Sequence, residues 1–205
     1  MGILDSLKKA FMGEQKSQHD HHDPLAHQPQ VDPEQSYIAG LEADRALKDR
    51  YFRQDPHSPI QNRPNFAGLD YYPPDRAFRY LLPLQPAENP ETLQLQTNTG
   101  DEQTYYRIGT IEFEVEGQPA RLAVYESAEH GGLFLPFRDA TSGRETYGAG
   151  RYLEPHDLGD GNLLVDFNLS YNPFCAYSDD YSCPLPPFEN TVRFPIRAGE
   201  KAFRK

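Results

Sequence analysis

The chain has 205 residues, enough for one fairly large globular domain, and 37% of them are hydrophobic. Its formal net charge of -11 repels the phosphates of nucleic acids and of anionic membranes, so we expect no nucleic-acid partner. No stretch approaches the ~20 consecutive apolar residues of a membrane span. The 19 prolines and 15 glycines are unfavourable to a long helical bundle and favour short strands joined by many turns.

Residues 1–31 are predicted to form a separate N-terminal arm. Residues 3–11 have the spacing of a short amphipathic helix, and residues 13–31 form a polar, histidine-rich linker without periodicity, which predicts disorder. A histidine-rich tract can bind transition metals, but a flexible one rarely does so with a function, and we predict no metal site. The first residues lack the pattern of a signal peptide, so the expected location is cytoplasmic.

One helix opens the main domain, which is predicted to span residues 32–205. Asp32 can cap the helix, and Pro33 suits its first position. Apolar residues recur through this segment at helical spacing, and the two prolines of residues 55–60 should end the helix. Its charged side carries Asp44, Arg45, Lys48, Asp49 and Arg50.

The hydrophobic period changes to two after residue 66, which is typical of half-buried strands. Residues 111–116 alternate apolar side chains with glutamates, and a turn at 116–119 joins this strand to a returning one. Residues 132–137 and 162–169 are further strands. We therefore predict a mainly β domain, an antiparallel sandwich or barrel with one N-terminal helix and a disordered N-terminal arm.

Two polar segments, residues 137–152 and 166–190, follow predicted strands, and loops on a rigid scaffold often carry function. Asp166 and Asn168 share one face of the strand 162–169, and burying them without partners is costly. The first segment can supply such partners through Arg138, Arg144 and Arg151. These groups form either a pocket for a polar or anionic small molecule or a structural network.

Several long segments resemble one protein family. The resemblance rests on FRDATSGRETYGAGRYLE (137–154), DFNLSYNPFCAYSDDYSCPLPPFEN (166–190), IRAGEK (196–201) and FAGLDYYPPD (66–75). They are similar to the bacterial and archaeal family called domain of unknown function 1684, over roughly residues 36–202. The resemblance implies that the two polar segments are the family's signature, but it implies no activity and no cofactor.

Cys175 and Cys183 leave several interpretations open. They can be two packed thiols, a disulfide that closes a short loop, or a nucleophilic Cys175 that needs a base such as His156. Their spacing does not match a zinc knuckle, which needs closer pairs and two more ligands. The glycines of residues 141–152 match neither nucleotide-binding fingerprint, so we predict no cofactor.

Two hypotheses from different classes follow. In the first, the protein binds a polar or anionic small molecule and, if it is an enzyme, catalyses hydrolysis or a related acid–base reaction. In the second, it is a non-catalytic structural or interaction module whose polar residues form a closed network. The first requires the polar side chains to converge on a solvent-reachable cavity, and the second requires them to satisfy one another. The predicted catalytic residues are Asp166, Asp139 and Tyr147, and the predicted ligand-binding residues are Arg138, Arg151, Asn168, Tyr171, Asn172 and Cys175.

Overall fold

The computed structural model describes residues 32–204. The predicted amphipathic segment and the histidine-rich linker, within residues 1–31, lie outside the described residues. Between residues 32 and 204, no helix is both long and apolar enough to cross a membrane.

Helix α1 (Pro33–Gln54) begins where the sequence predicts. The side chain of Asp32 accepts a hydrogen bond from the backbone N–H of Glu34 at 2.9 Å, which satisfies one of the free amides of the first turn. Phe52 is buried, in agreement with the apolar spacing. Lys48 is also buried, although the sequence places it on the charged side of the helix. The reason is its buried partner Glu200, which is far away in the chain.

Eight strands follow the helix in the described part of the chain and form two antiparallel sheets. The smaller sheet consists of the first, eighth and seventh strands in that order, and the larger one of the second to the sixth. This arrangement confirms the predicted mainly β fold with one N-terminal helix. The strands are β1 (Arg79–Pro83), β2 (Gln85–Gln96), β3 (Glu102–Val115), β4 (Gln118–Ser127), β5 (Leu133–Phe137), β6 (Arg151–Leu153), β7 (His156–Asp157) and β8 (Asn162–Asp166).

Local sequence signals explain the hairpin of β3 and β4. It turns at Glu116 and Gly117, which have φ angles of 51° and 78°. Two residues with positive φ make the tight connection whose twist matches that of a hairpin. Strand β2 is different, because its twelve residues are mostly polar and exposed and lack the alternation that predicts a strand. It lies at the edge of the sheet, where prolines are tolerated.

Strand β8 is shorter than the predicted strand 162–169. It ends at Asp166, and Phe167–Leu169 form a 3₁₀ turn. The carboxylate of Asp166 accepts a hydrogen bond from the backbone N–H of Asn168 at 3.0 Å and so caps this turn. An aspartate that bonds its own backbone two residues further on competes with strand pairing, which is why the strand stops here.

The largest hydrophobic cluster lies between the two sheets. Both sheets contribute fully buried side chains to it, such as Val165 of β8 and Ile111 of β3. Phe167 packs among these residues, with ring centroids 5.2 Å from Phe113 and 5.3 Å from Phe137. Each such side chain contributes roughly 1.5–3 kcal/mol by its burial, so this cluster holds the two sheets together.

A buried ion pair joins the C-terminal segment to helix α1. The ammonium of Lys48 donates to Oε1 of Glu200, and the two side chains are 8% and 1% exposed. Oε2 of Glu200 accepts from the backbone N–H of Asn172 at 2.9 Å and from the hydroxyl of Tyr177 at 2.5 Å. Burial and the Glu200 carboxylate raise the pKa of Tyr177, so the phenol remains a donor. A buried charge is tolerated only when it is paired and hydrogen-bonded in this way.

We predict that Glu200→Gln destabilises the protein by about 3 kcal/mol, because it leaves the Lys48 ammonium buried without a counter-charge. Urea denaturation followed by far-UV circular dichroism measures the change. Glu88→Gln, at an exposed position of β2, is the matched control and should stay within about 0.5 kcal/mol of the native chain. The double variant Lys48→Met/Glu200→Gln should lose less unfolding free energy than the single variants Lys48→Met and Glu200→Gln lose together. Unchanged stability of Glu200→Gln contradicts this role of the pair.

Candidate functional site

A cavity of about 670 Å³ lies between helix α1, the connection from β4 to β5 and the C-terminal loops. Its size is in the range of ~300–1,000 Å³ that is typical of small-molecule sites. One face of the helix lines it, with residues spaced three and four apart. These residues are Leu41, Asp44, Arg45 and Lys48.

Aromatic rings form one wall of the cavity. The ring of Phe134 stacks on Tyr105 at a centroid distance of 5.1 Å and meets Tyr152 edge-on at 4.8 Å. Tyr152 in turn meets Tyr171 edge-on at 5.9 Å, and its hydroxyl donates to the carbonyl of Pro184. Burial raises the pKa of Tyr105 to about 12, so this phenol stays neutral. The wall is therefore uncharged, and its rings are held by contacts within the protein.

One end of the cavity is polar. The guanidinium carbon of Arg45 lies 4.4 Å from the ring centroid of Tyr71. Its Nε and Nη2 atoms are buried and have no hydrogen-bond partner among the described residues. The same holds for the hydroxyl of Ser170, a residue that is 1% exposed. Burial lowers the pKa of Arg45, because desolvation disfavours its charge. Buried donors without partners are costly, so this end of the cavity is suited to a hydrogen-bond acceptor.

Lys48 also lines the cavity, but its charge is already compensated. Its ammonium bonds to Glu200 and lies 5.3 Å from the ring centroid of Phe52 and 5.1 Å from that of Tyr171. Cation–π contacts of this kind add to the ion pair. Of the two basic residues on this face of the helix, Arg45 is therefore the one whose N–H groups are available to a ligand.

Asp166 and Asn168 form a network that ties helix α1 to β8. Oδ2 of Asp166 accepts from the hydroxyl of Tyr37 at 2.8 Å and lies 3.4 Å from Nε of Arg79. The side-chain amide of Asn168 donates to Oδ1 of Asp166 at 2.9 Å and to the carbonyl of Asp75 at 2.7 Å, and its oxygen accepts from the N–H of Asp75 at 2.9 Å. Of the two residues, Asn168 lines the cavity.

Arg151 and Asp139 form a second network, around the C-terminal segment. Arg151 is 1% exposed and donates to the carbonyls of Ile196, Ala198 and Glu200. Its Nη2 atom lies 3.5 Å from Oδ2 of Asp139, which also accepts from the N–H of Ile196 at 2.5 Å. Burial lowers the pKa of Arg151, while Asp139 acts in the opposite direction. This network fixes the backbone that leads to Glu200.

The other predicted residues have separate contacts. Arg138 donates to the carbonyl of Ala149 at 3.2 Å, and Tyr171 donates to Glu154 at 2.8 Å. The side-chain amide of Asn172 donates to the carbonyl of Lys201, also at 2.8 Å. Tyr147 has its hydroxyl 3.8 Å from the sulfur of Cys175, and Tyr171 lines the cavity.

Both cysteines are free thiols and are buried. The N–H of Cys175 donates to the sulfur of Cys183 at 3.4 Å. The side-chain hydrogen bond between the two thiols, together with burial, raises the pKa of the Cys183 thiol. Within residues 32–204, no group of three or more His, Cys, Asp or Glu side chains is placed to hold a metal ion.

The structure thus brings Asp166 to Asn168, Arg151 to Asp139 and Tyr147 to Cys175. It does not bring the arginines of the first segment to Asp166, whose basic neighbour is Arg79. The catalytic and ligand-binding roles of these residues stay predictions. Among the described residues, the donors at the cavity that lack partners are those of Arg45 and Ser170, which the sequence does not single out. Arg45 has the ordinary signature of an exposed helical residue, so a single sequence contains no signal for it.

Two comparisons place the chain among known proteins. Residues 64–201 match the family described as "Protein of unknown function (DUF1684)". The chain belongs to this family. The DUF1684 protein is also similar to a solved structure, the solution NMR structure of an uncharacterised protein from Haloarcula marismortui. The two are 40% identical, with a TM-score of 0.63 over 82% of this chain and 95% of that one. No curated protein matches the chain.

We predict that Asp166→Ala destabilises the DUF1684 protein by about 3 kcal/mol, because it leaves the hydroxyl of Tyr37 and the amide of Asn168 with fewer acceptors in a buried network. Thermal and urea unfolding measure the loss. Asp70→Ala, which removes an exposed carboxylate, is the matched control and should be near neutral. Near-native stability of Asp166→Ala would instead favour the prediction that this carboxylate serves a ligand.

Proposed function

We propose that this DUF1684 protein binds a small organic molecule in the cavity between helix α1 and the C-terminal loops. The observation that carries the proposal is the lining, which combines a wall of packed aromatic rings with buried donors of Arg45 and Ser170 that have no partner among the described residues. An apolar cavity with a few convergent polar groups is the usual form of a small-molecule site.

The cavity walls are organised without a ligand. The ring pairs of Phe134 with Tyr105 and Tyr152 fix the aromatic wall, and the contact with Tyr71 fixes the guanidinium of Arg45. A site that is organised in advance has less conformational entropy to lose when it binds. This supports the aromatic wall as a preformed part of the site.

The signature residues have a positioning role in this proposal. The network of Arg151 and Asp139 holds the backbone before Glu200, and that of Asp166 and Asn168 holds the start of helix α1. Both carboxylates are buried and accept hydrogen bonds from the chain itself. We therefore propose ligand binding and no reaction. Acid–base catalysis by Asp166, Asp139 or Tyr147 stays a prediction from the sequence.

One observation favours a second candidate, the non-catalytic interaction module. Phe188 is 91% exposed, next to Glu189, which accepts a hydrogen bond from Tyr125 and pairs with Arg107 at 2.8 Å. A fully exposed phenylalanine on an anchored turn is suited to contact another protein. This surface is distinct from the cavity, since none of these residues lines it.

Ligand-observed NMR with a set of one- and two-ring aromatic compounds, half of them neutral and half carboxylates, tests the proposed function. We expect at least one compound to bind the native protein. Leu41→Trp, which enlarges a lining side chain of helix α1, should weaken that binding at least tenfold because the larger ring fills the cavity.

Leu81→Trp is the matched control, because Leu81 is a 62% exposed leucine that does not line the cavity. It should bind the compound like the native protein, and circular dichroism checks that both variants are folded. Absence of any binder, or equal binding by folded Leu41→Trp, contradicts a binding function of the cavity and favours the interaction module.

A further inference from the structure

We infer that the ligand of this cavity is a monovalent carboxylic acid with a ring-bearing apolar body, and that Arg45 and Ser170 bind its carboxylate. The inference rests on the proposed function and adds to it the chemical class of the ligand and the residues that read its head group.

The first argument is the arrangement of the donors that lack partners. Nε and Nη2 of Arg45 form one edge of the guanidinium, and the two N–H bonds of this edge point in parallel. Both atoms are buried, and neither has a hydrogen-bond partner among residues 32–204. Two parallel donors match the two oxygens of a carboxylate in a bidentate contact. A single neutral acceptor, such as a ketone, has only one oxygen to share between the two donors, so both hydrogen bonds are bent and neither is assisted by a negative charge.

The second argument is that Arg45 and Ser170 belong to the same end of the cavity. Arg45 stacks on Tyr71, and Tyr71 forms a β-bridge with Glu200. The backbone N–H of Glu200 donates to the carbonyl of Ser170 at 2.9 Å. The hydroxyl of Ser170 is buried and also lacks a partner among the described residues. A hydroxyl at this end supplies a further donor to the acid.

The third argument is the charge of the surroundings. The positive charge of Lys48 is compensated by Glu200, so Arg45 supplies the positive charge that remains at this end. Glu200 also interacts electrostatically with Arg45, and the residues Asp44 and Glu154 line the cavity as well. Arg45 can compensate only one of the two negative charges of a dianionic phosphate. The second charge would be repelled by the nearby carboxylates, and burial increases the cost of that repulsion. The site therefore favours one negative charge over two.

The fourth argument concerns the body of the ligand. The aromatic wall of the cavity consists of the rings of Tyr105, Phe134, Tyr152 and Tyr171, in stacked and edge-on contacts. A further ring can join such a cluster face-on or edge-on, with a gain beyond that of its buried area. The cavity thus combines donors for the acid with aromatic rings against which a ring of the ligand can pack.

Three compounds of the same shape test the inference by isothermal titration calorimetry at neutral pH: 2-naphthoic acid, 2-naphthamide and 2-naphthyl phosphate. We expect the acid to bind the native protein at least tenfold more tightly than the amide, and more tightly than the phosphate. Arg45→Gln should weaken binding of the acid at least tenfold and leave the affinity for the amide unchanged. Arg45→Lys should also weaken it, because lysine keeps the charge but loses the paired donors. Ser170→Ala should weaken binding of the acid about threefold, as expected for the loss of one hydrogen bond.

Arg50→Gln is the matched control, since Arg50 is an exposed arginine of the same helix outside the cavity, and it should not change the affinity for the acid. If acid and amide bind equally and Arg45→Gln changes neither, the carboxylate is not recognised and the inference is wrong, while the cavity remains a binding site. Tighter binding of the phosphate overturns it in favour of a dianionic ligand. If none of the three compounds binds but neutral members of the aromatic set do, the inference again fails and the proposed function stands.

Discussion

The contact of Lys48 with Glu200 brings together parts of the chain that are 152 residues apart. Taking two charges out of water is costly, and the attraction between them offsets that cost only when the remaining hydrogen-bonding groups are also satisfied. Here Asn172 and Tyr177 supply donors to the second oxygen of the carboxylate. Because the cavity lies between helix α1 and the C-terminal loops, the pair that joins these elements also determines where the walls of the cavity stand.

The two polar networks support this contact from both sides. Arg151 holds the backbone before Glu200 through three carbonyls, and Tyr37 attaches the first turns of helix α1 to Asp166. Tyr37 and Lys48 are eleven residues apart in the helix, which corresponds to about 16 Å along its axis. Two attachments at this separation fix the direction of the helix. Arg45 lies between them, so its position relative to the aromatic wall is fixed as well.

The parts of this fold that could be predicted depend on local signals. Asp32 and Pro33 mark the start of the helix, and the alternation of residues 111–116 marks strand β3, because each signal acts within a few residues. The burial of Lys48 could not be predicted, because its partner Glu200 is remote in the chain.

The same limit applies to the candidate site. The need of Asp166 and Asn168 for partners follows from their residue types, but which partners they have depends on how the sheets pack. Asp166 meets Tyr37 and Arg79, whereas Arg151 finds its carboxylate in Asp139, within its own polar segment. Arg45 could not be predicted for two reasons. Its local sequence is that of a solvent-exposed helix, and the residues that surround it are far from it in the chain.

Strand β2 has a consequence for the behaviour of the protein at high concentration. An outer strand of twelve residues offers a row of unpaired backbone groups to which a neighbouring chain can add. In β2, Pro86 and Pro90 lack the amide hydrogen that such addition needs, and the register with β3 shifts between Pro86 and Glu91. The acidic side chains of Glu88 and Glu91 add repulsion between copies of this strand. This edge of the larger sheet is therefore protected against the edge-to-edge polymerisation that exposed strands promote.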